Sequence, residues 1–379
     1  MRILRTDDPN LQGKQLASSV YSADGHILLR KGVYLTPNYI KLLSSRGYHS
    51  VYVENELLPG LEIDEAINQA TRIRATELVR KALEKTHKGE DLVIEPISRA
   101  VDAILDDLAG NSDMVVQLST LRSIDEYSFV HSVNVCVLSV LMGYALHYPP
   151  RDMKQLGIGA ILHDLGKARV PPEYLKRDGA LTPSEYEEVK NHTTEGFELL
   201  RQNRDISILS AHVAFQHHER MDGSGYPRQL KGDDILEFAR IAAVADVWDA
   251  LISDRPYRKC VAPEEAMKEL KQGAGKLYDE TCVHHLMSRL AVYPVGTIVL
   301  LSDRRLAVVT KQGTKSHRPY ITIVADCEHK LVAPSLLSLE ESQETSILQA
   351  LQDYPPSVVN QINQIRDDSY WAASGYRRT

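Results

Sequence analysis

Apolar and polar positions change period several times along the chain, and each change marks a segment. Residues 15–55 alternate short apolar runs with turn signals: LASSVYS, then Ala23-Asp24-Gly25-His26, then ILLRKGVYL, which predicts a hairpin closed by an Asp-Gly turn. Thr36 followed by Pro37 has the chemistry of a helix start, so YIKLLSSR is expected as a short helix that Gly47 stops. HSVYVE then returns to strand, and residues 1–60 are expected to form a small α+β module. Across 61–92 there are few breakers, and Ile63, Ile67, Ala70, Leu78, Ala82 and Leu83 predict a helical connector between independent units.

From 93 to 290 the period is helical almost throughout, with long stretches such as SVNVCVLSVLMGYAL and RIAAVADVWDALIS. After Tyr293-Pro294 it shortens to that of strands in TIVLLS, RLAVVT and YITIVAD, with Asp303 at a turn, so 291–345 are expected as a small antiparallel β unit. Residues 346–379 are expected to be a mixed tail. The chain should be multidomain and mainly α: an all-helical central domain, a small α+β N-terminal module and a small antiparallel β C-terminal unit.

Composition adds mainly exclusions. With 379 residues the chain is long for one compact core. Cys136, Cys260, Cys282 and Cys327 are scattered without CxxC pairing, as expected of reduced thiols in the cytosol. The N-terminal MRILRTDDPN has no apolar signal region, and no run of about 18 apolar residues occurs. A cytoplasmic protein without a membrane span is therefore expected. The formal charge of −7 disfavours binding to DNA or RNA polymers and leaves room for a local basic pocket around a small phosphate ligand.

The candidate chemistry lies in the helical segment. Half of the 14 histidines fall between His131 and His218, among them His163 beside Asp164, His192, and the pair His217-His218, with Asp246 further on. Imidazole and carboxylate are the ligand set of hydrolytic metals, and adjacent pairs let one short stretch of backbone serve two ions. Asp164 could place one oxygen on each of two metals about 3.5–4 Å apart, acidifying a shared water into a bridging hydroxide nucleophile. A lone histidine is more often a satisfied core or surface residue, the role assigned to His147 and His212; the pair His284-His285 has no HD-type partner near it in sequence, and all four are left outside the site.

His163-Asp164 with Gly166-Lys167, His217-His218-Glu219, Asp222-Gly223-Ser224-Gly225-Tyr226-Pro227, Val244-Ala245-Asp246 and Arg255-Pro256-Tyr257-Arg258, in this order, resemble an HD-GYP domain. That family comprises HD-superfamily phosphodiesterases that hydrolyse the bacterial second messenger cyclic di-GMP. The resemblance covers roughly residues 95–290, and the flanking segments are similar to those that often accompany the domain. It implies an HD-type helical catalytic domain in which His131, His163, Asp164 and Asp246 hold one divalent transition metal, and Asp164, His192, His217 and His218 hold a second. Iron or manganese suits such nitrogen and oxygen donors, with nickel, cobalt and zinc left open. The resemblance also implies that Arg255, Arg258 and Lys176 bind phosphate and that Gly225, Tyr226 and Pro227 wall the pocket. Lys167 would contact either the scissile phosphate or the site itself, while Glu219 and Asp249 would orient ligating histidines.

The chain departs from three-metal members of the family at Tyr127, where they carry a glutamate four residues before the first histidine. Glu126 is adjacent but about 100° round the helix. Two metals are therefore expected, with linear pGpG as the main product and slow further cleavage to GMP left open. Rival readings are an HD phosphohydrolase of another cyclic dinucleotide or nucleotide, and a sensor of cyclic di-GMP with little turnover. The expected partners are cyclic di-GMP, signalling proteins such as GGDEF-type cyclases, and a second copy in a homodimer.

Overall fold

The computed structural model describes residues 1–22, 26–48, 50–62, 66–109, 115, 127–175, 177, 179–253, 261, 263–342 and 344–364. The N-terminal module contains β1 (Arg2–Arg5), β2 (Val20–Tyr21), β3 (Ile27–Leu29), α1 (Pro37–Ser45) and β4 (Ser50–Val53). β2 and β3 pair antiparallel as expected of the hairpin, while its Asp-Gly turn lies outside the described residues. Thr36 caps α1 by accepting from the Tyr39 amide, and Pro37 occupies the first turn, where no intrahelical amide bond is lost. β1, which the periodicity left unread, pairs antiparallel with β4 through Arg2–Val53 to Arg5–Ser50.

The helical domain comprises α2 (Gln69–His87), α3 (Glu95–Ala109), α4 (Tyr127–Ala145), α5 (Pro150–Ile161), α6 (Pro172–Leu175), α7 (Pro183–Lys190), α8 (His192–Arg201), α9 (Ile208–Gln216), α10 (Glu237–Ile252), α11 (Pro263–Gly273) and α12 (Glu280–Arg289). α4 runs through its middle against α2, α5, α10 and α12. Its apolar residues point in all directions because it has neighbours on every side, with Val133, Cys136, Leu138 and Leu141 fully buried. The stretch Ser128–Ala145 is long and apolar enough to cross a bilayer, although Ser, His and Asn interrupt its apolar residues, and 72% of it is buried inside the protein.

Two expected boundaries are corrected. The segment 61–92 is not a free connector: Ala66, Ile67, Ala75, Val79 and Ala82 are buried in the same core as α4, and Arg72 Nη1 donates to Asn134 Oδ1 of α4 at 2.8 Å. Its apolar stripe is the signature of any packed helix, and period alone does not say which surface it packs against. Residues 346–379 are not wholly a tail either. Among the described residues the C-terminal sheet has five antiparallel strands, β5 (Ile298–Leu301), β6 (Leu306–Lys311), β7 (Tyr320–Ala325), β8 (Leu331–Ser338) and β9 (Ile347–Leu351), in the order β8-β7-β6-β5-β9. β9 thus completes the sheet from within the expected tail. α13 (Pro356–Gln364) follows and buries Val358 with Ile298 and Leu306.

Residues 2–58 and 353–358, far apart in the chain, meet on this sheet. Leu57 and Leu58 share a core with Ile298, Leu306, Val308 and Tyr354, Tyr354 Oη donates to Asn55 Oδ1 at 3.1 Å, and Arg2 Nη1 donates to Asp353 Oδ1 at 2.6 Å. Because α2 covers part of α4, a fragment beginning at Glu90 should expose that apolar face. It is expected to bind a hydrophobic dye and to melt without a cooperative transition. Calorimetry showing a transition as sharp and as hot as that of the whole chain would refute the role given to α2.

Candidate metal centre

The candidate ligands come from ends and middles of separate elements. α5 ends at Ile161, and the chain enters a tight 3-10 turn, Leu165–Arg169, with His163 and Asp164 just ahead of it. Gly166 in that turn lies so close to the start of α8 that a Cβ would sit 1.9 Å from the His192 carbonyl oxygen; only glycine lets the two segments meet. His192 opens α8, His217 and His218 follow the last residue of α9, Asp246 lies within α10, and His131 within α4.

Folding brings all of these residues together in a buried cluster. One ligand atom from each of Asp164, His192, His217 and His218, and likewise from His131, His163 and Asp164, can be chosen so that the atoms of each group lie within 4.8 Å of one another. Asp164 belongs to both groups, with Oδ1 3.5 Å from His192 Nε2 and 3.8 Å from His217 Nε2, and Oδ2 3.3 Å from His163 Nε2. Asp246 joins them through Oδ1, 3.1 Å from His131 Nε2.

Hydrogen bonds settle which ring nitrogen faces inward. His163 Nδ1 donates to the Ala160 carbonyl at 2.8 Å, His192 Nδ1 to Val189 at 2.6 Å, and His217 Nδ1 to Ala214 at 3.0 Å. His131 Nδ1 instead meets Asp249 Oδ2 at 2.8 Å. With their protons on Nδ1, His163, His192 and His217 present Nε2 lone pairs to the centre, while His131 turns Nε2 toward Asp246. The Nε2 atoms of His192 and His217 lie only 3.4 Å apart, and buried His163 Nε2 and Asp164 Oδ1 have no hydrogen-bond partner. Lone pairs crowded together out of water are costly unless a cation is shared among them, so the donor set fits a metal.

Charge states agree with this. Burial pushes His192 down to about 4, and burial together with neighbouring imidazoles holds His217 and His218 well below the usual histidine range, so all three imidazoles are neutral at pH 7. Burial works against ionising Asp164, but His163, Lys167 and His192 outweigh it and hold the carboxyl well below its usual range. Asp246 is held low in the same way, chiefly by His131 against the effect of burial. His131 is the exception: burial opposes its charge, yet Asp246 and Asp249 outweigh that and raise its pKa.

Residues around the cluster divide into those placed as expected and those placed otherwise. Asp249 orients His131, as expected. Among the described residues Glu219 meets no histidine, which corrects the expectation: its carboxylate accepts the amides of Arg228 at 2.7 Å and Leu230 at 3.0 Å, anchoring the loop that follows the glycine-rich turn. Lys167 Nζ pairs with Asp164 Oδ2, on the site itself. Gly225 packs against the His218–Arg220 backbone, where a Cβ would fall 2.4 Å from the Arg220 amide nitrogen. Tyr226 then stacks on His218 with centroids 4.7 Å apart, and Pro227 after it is exposed. Lys176, Arg255 and Arg258 lie outside the described residues, as does the side chain of Tyr127. His212 packs between Phe197 and Gln216, away from the cluster, and His284 and His285 face each other on α12.

Sequence reasoning missed Asn134, whose Nδ2 donates to Asp249 Oδ1 at 2.6 Å. A spacing of three from His131 puts both on one face of α4, the signal that was there to find. Lys190, 5.5 Å above the Tyr226 ring, was also missed; nothing in its charged helix sets it apart.

Comparison with known proteins accords with the geometry. The HD domain family matches residues 118–282. A cyclic di-GMP phosphodiesterase of Pseudomonas aeruginosa is 32% identical over 275 residues, 72% of this chain and 66% of that protein. One from Thermotoga maritima is 36% identical over 219 residues, 57% of this chain and 59% of that protein. A 3′3′-cGAMP-specific phosphodiesterase of Vibrio cholerae is 27% identical over 281 residues, 74% of this chain and 55% of that protein. The chain thus spans between about half and two thirds of the length of these relatives. With the motifs in order, the histidine–aspartate cluster in a helical fold and these relatives, the chain belongs to the HD-GYP family of HD-domain proteins.

Proposed function

We propose that the chain is a metal-dependent phosphodiesterase that hydrolyses cyclic di-GMP to linear pGpG. One observation carries the reading: a buried cluster whose ring Nδ1 protons are bound outward and whose Nε2 lone pairs and carboxylate oxygens converge inward. His131, His163, Asp164 and Asp246 are proposed to hold one divalent ion, and Asp164, His192, His217 and His218 another. Iron or manganese is the proposed metal, because the donors are nitrogen and oxygen without thiolate; nickel, cobalt and zinc are the alternatives. When bound, two such ions supply an acidified water and positive charge beside the phosphate oxygens.

The chain's own residues do the rest. Asp164 spans both groups of ligands, Asp249 holds the His131 ring, Glu219 anchors the loop, and Tyr226 closes one side by stacking on His218. Arg255, Arg258 and Lys176 are proposed to fork onto phosphate oxygens, orienting the diester for in-line attack. Tyr127 stands where a third ion would need a carboxylate, and a phenol with a pKa of about 10 is a poor ligand at neutral pH. Cleavage is therefore proposed to stop largely at pGpG. A cytoplasmic location, GGDEF-type cyclases as signalling partners and a homodimer belong to the same proposal. Cyclic di-GMP is preferred as substrate because the relatives of higher identity are named for it; the relative named for 3′3′-cGAMP supports that dinucleotide as a second reading.

Anaerobically purified protein should contain two metals per chain by elemental analysis and should release pGpG from cyclic di-GMP by chromatography, faster than it cleaves 3′3′-cGAMP. A count of three metals would show that another group replaces the missing carboxylate, and metal-loaded protein that binds cyclic di-GMP without turnover would make it a sensor.

Asp164→Ala should lose most of both metals and lower turnover by more than about 100-fold, since even outer partners of ligands are worth about 10–100-fold. His212→Ala should change neither. Full activity of the Asp164 variant with an emptied cluster would end the metal reading. Arg255→Ala or Arg258→Ala should cost about 1.5–3 kcal/mol in kcat/KM, the worth of a charged hydrogen bond, with metal content unchanged. Metal loss with substrate binding intact would make these arginines structural.

A further inference from the structure

We infer that Arg72 of α2 is a positioning residue for the metal centre, acting through Asn134 and Asp249 to keep the His131 proton on Nδ1 and the Nε2 lone pair toward the ions. The inference rests on the proposed reading of the cluster as a metal centre.

The links are short and lie in the core. Arg72 Nη1 donates to Asn134 Oδ1 at 2.8 Å, Asn134 Nδ2 to Asp249 Oδ1 at 2.6 Å, and His131 Nδ1 to Asp249 Oδ2 at 2.8 Å. These four residues are 9%, 0%, 0% and 2% exposed in the order Arg72, Asn134, Asp249, His131. Donor and acceptor chemistry gives the path a direction. A guanidinium only donates, so Asn134 must turn its oxygen to Arg72 and its nitrogen to Asp249. The flipped amide would set nitrogen against guanidinium and oxygen against carboxylate, two repulsive contacts where water does not reach. An ionised Asp249 only accepts, so the ring hydrogen facing it sits on Nδ1. His131 Nε2 then faces Asp246 Oδ1, 3.1 Å away, and is the one ring nitrogen that a metal ion shared with Asp246 would take in place of a proton.

His131 needs this path because of where it sits. His163, His192 and His217 donate from Nδ1 to carbonyls three residues earlier in the chain, which local backbone geometry supplies. His131 instead lies within α4, where the preceding carbonyls accept the helix's own amides, so its tautomer is set by side chains of other elements. Arg72 falls in the opening turns of α2, the first helix after the N-terminal module, and the Asn68 amide before it is held by Asp107 of α3 at 2.9 Å. Displacement of the start of α2 would therefore be felt at His131.

The test uses the full chain, stripped of metal by chelation, titrated with Co²⁺ and followed by its visible d–d absorption alongside thermal unfolding. Arg72→Met should weaken Co²⁺ binding by about 10–100-fold, the usual cost of losing an outer partner of a ligand, and alter the spectrum. Arg72→Lys, which can still donate to Asn134 Oδ1, should recover part of that loss. Val79→Ala, a buried change on the same helix outside the path, should lower Tm and leave Co²⁺ affinity as in wild type. Wild-type affinity and spectrum in Arg72→Met, with only Tm reduced, would overturn the inference and leave the metal reading standing. If wild type itself takes up no Co²⁺, the metal reading falls and the inference with it. Should Arg72→Met not accumulate as folded protein, Asn134→Ser carries the same test, with the same loss expected and wild-type affinity again overturning the proposal.

Discussion

An ionised carboxylate surrounded by imidazoles in a helical core is the constraint on which the rest of this structure depends. Asp164 is nearly inaccessible, and burial alone would favour its protonated form. What keeps it charged is the company of His163, Lys167 and His192, and what keeps most of the imidazoles neutral is the same burial. Such an arrangement survives only if every group is held from behind, because a small rotation would turn a lone pair away from the centre. Backbone carbonyls at the ends of α5, α7 and α9 do this for His163, His192 and His217, Asp249 does it for His131, and Tyr226 stacks on His218.

Close approach of the elements follows from that requirement. Gly166 lets the turn after α5 touch the start of α8, and Gly225 lets the loop after His218 fold back on its own backbone and set Tyr226 against the ring. Neither glycine touches a candidate ligand atom, yet both fix how far apart the ligand-bearing segments lie. Glu219 does the same for the loop by capturing two amides that would otherwise be unpaired.

Much of this was legible in the order of residues. The histidines and aspartates that cluster could be picked out because adjacent pairs of that chemistry are uncommon, and the α1 cap because Thr36 and Pro37 act locally. The elements misread were those whose meaning lies in a distant partner. α2 looks like any amphipathic helix until α4 is placed beside it, and β9 is a short strand, ILQAL, whose weak alternation gains sense only from β5. Glu219 was taken for a histidine partner because it adjoins His218 in sequence, whereas its carboxylate points to amides some ten residues further on. Arg72 carried no signal at all, being one cation among several in TRIRATELVR.

The joining of residues 2–58 to residues 353–358 has a consequence for the chain's synthesis. Asn55 and Tyr354 are separated by 299 positions, and Leu57 and Leu58 are buried only when β5, β6 and the residues around Tyr354 are in place. At about 5–20 residues per second, a ribosome would leave those leucines without their covering for on the order of 15–60 s. Throughout that interval the nascent chain presents a small apolar surface whose covering strands have yet to be made.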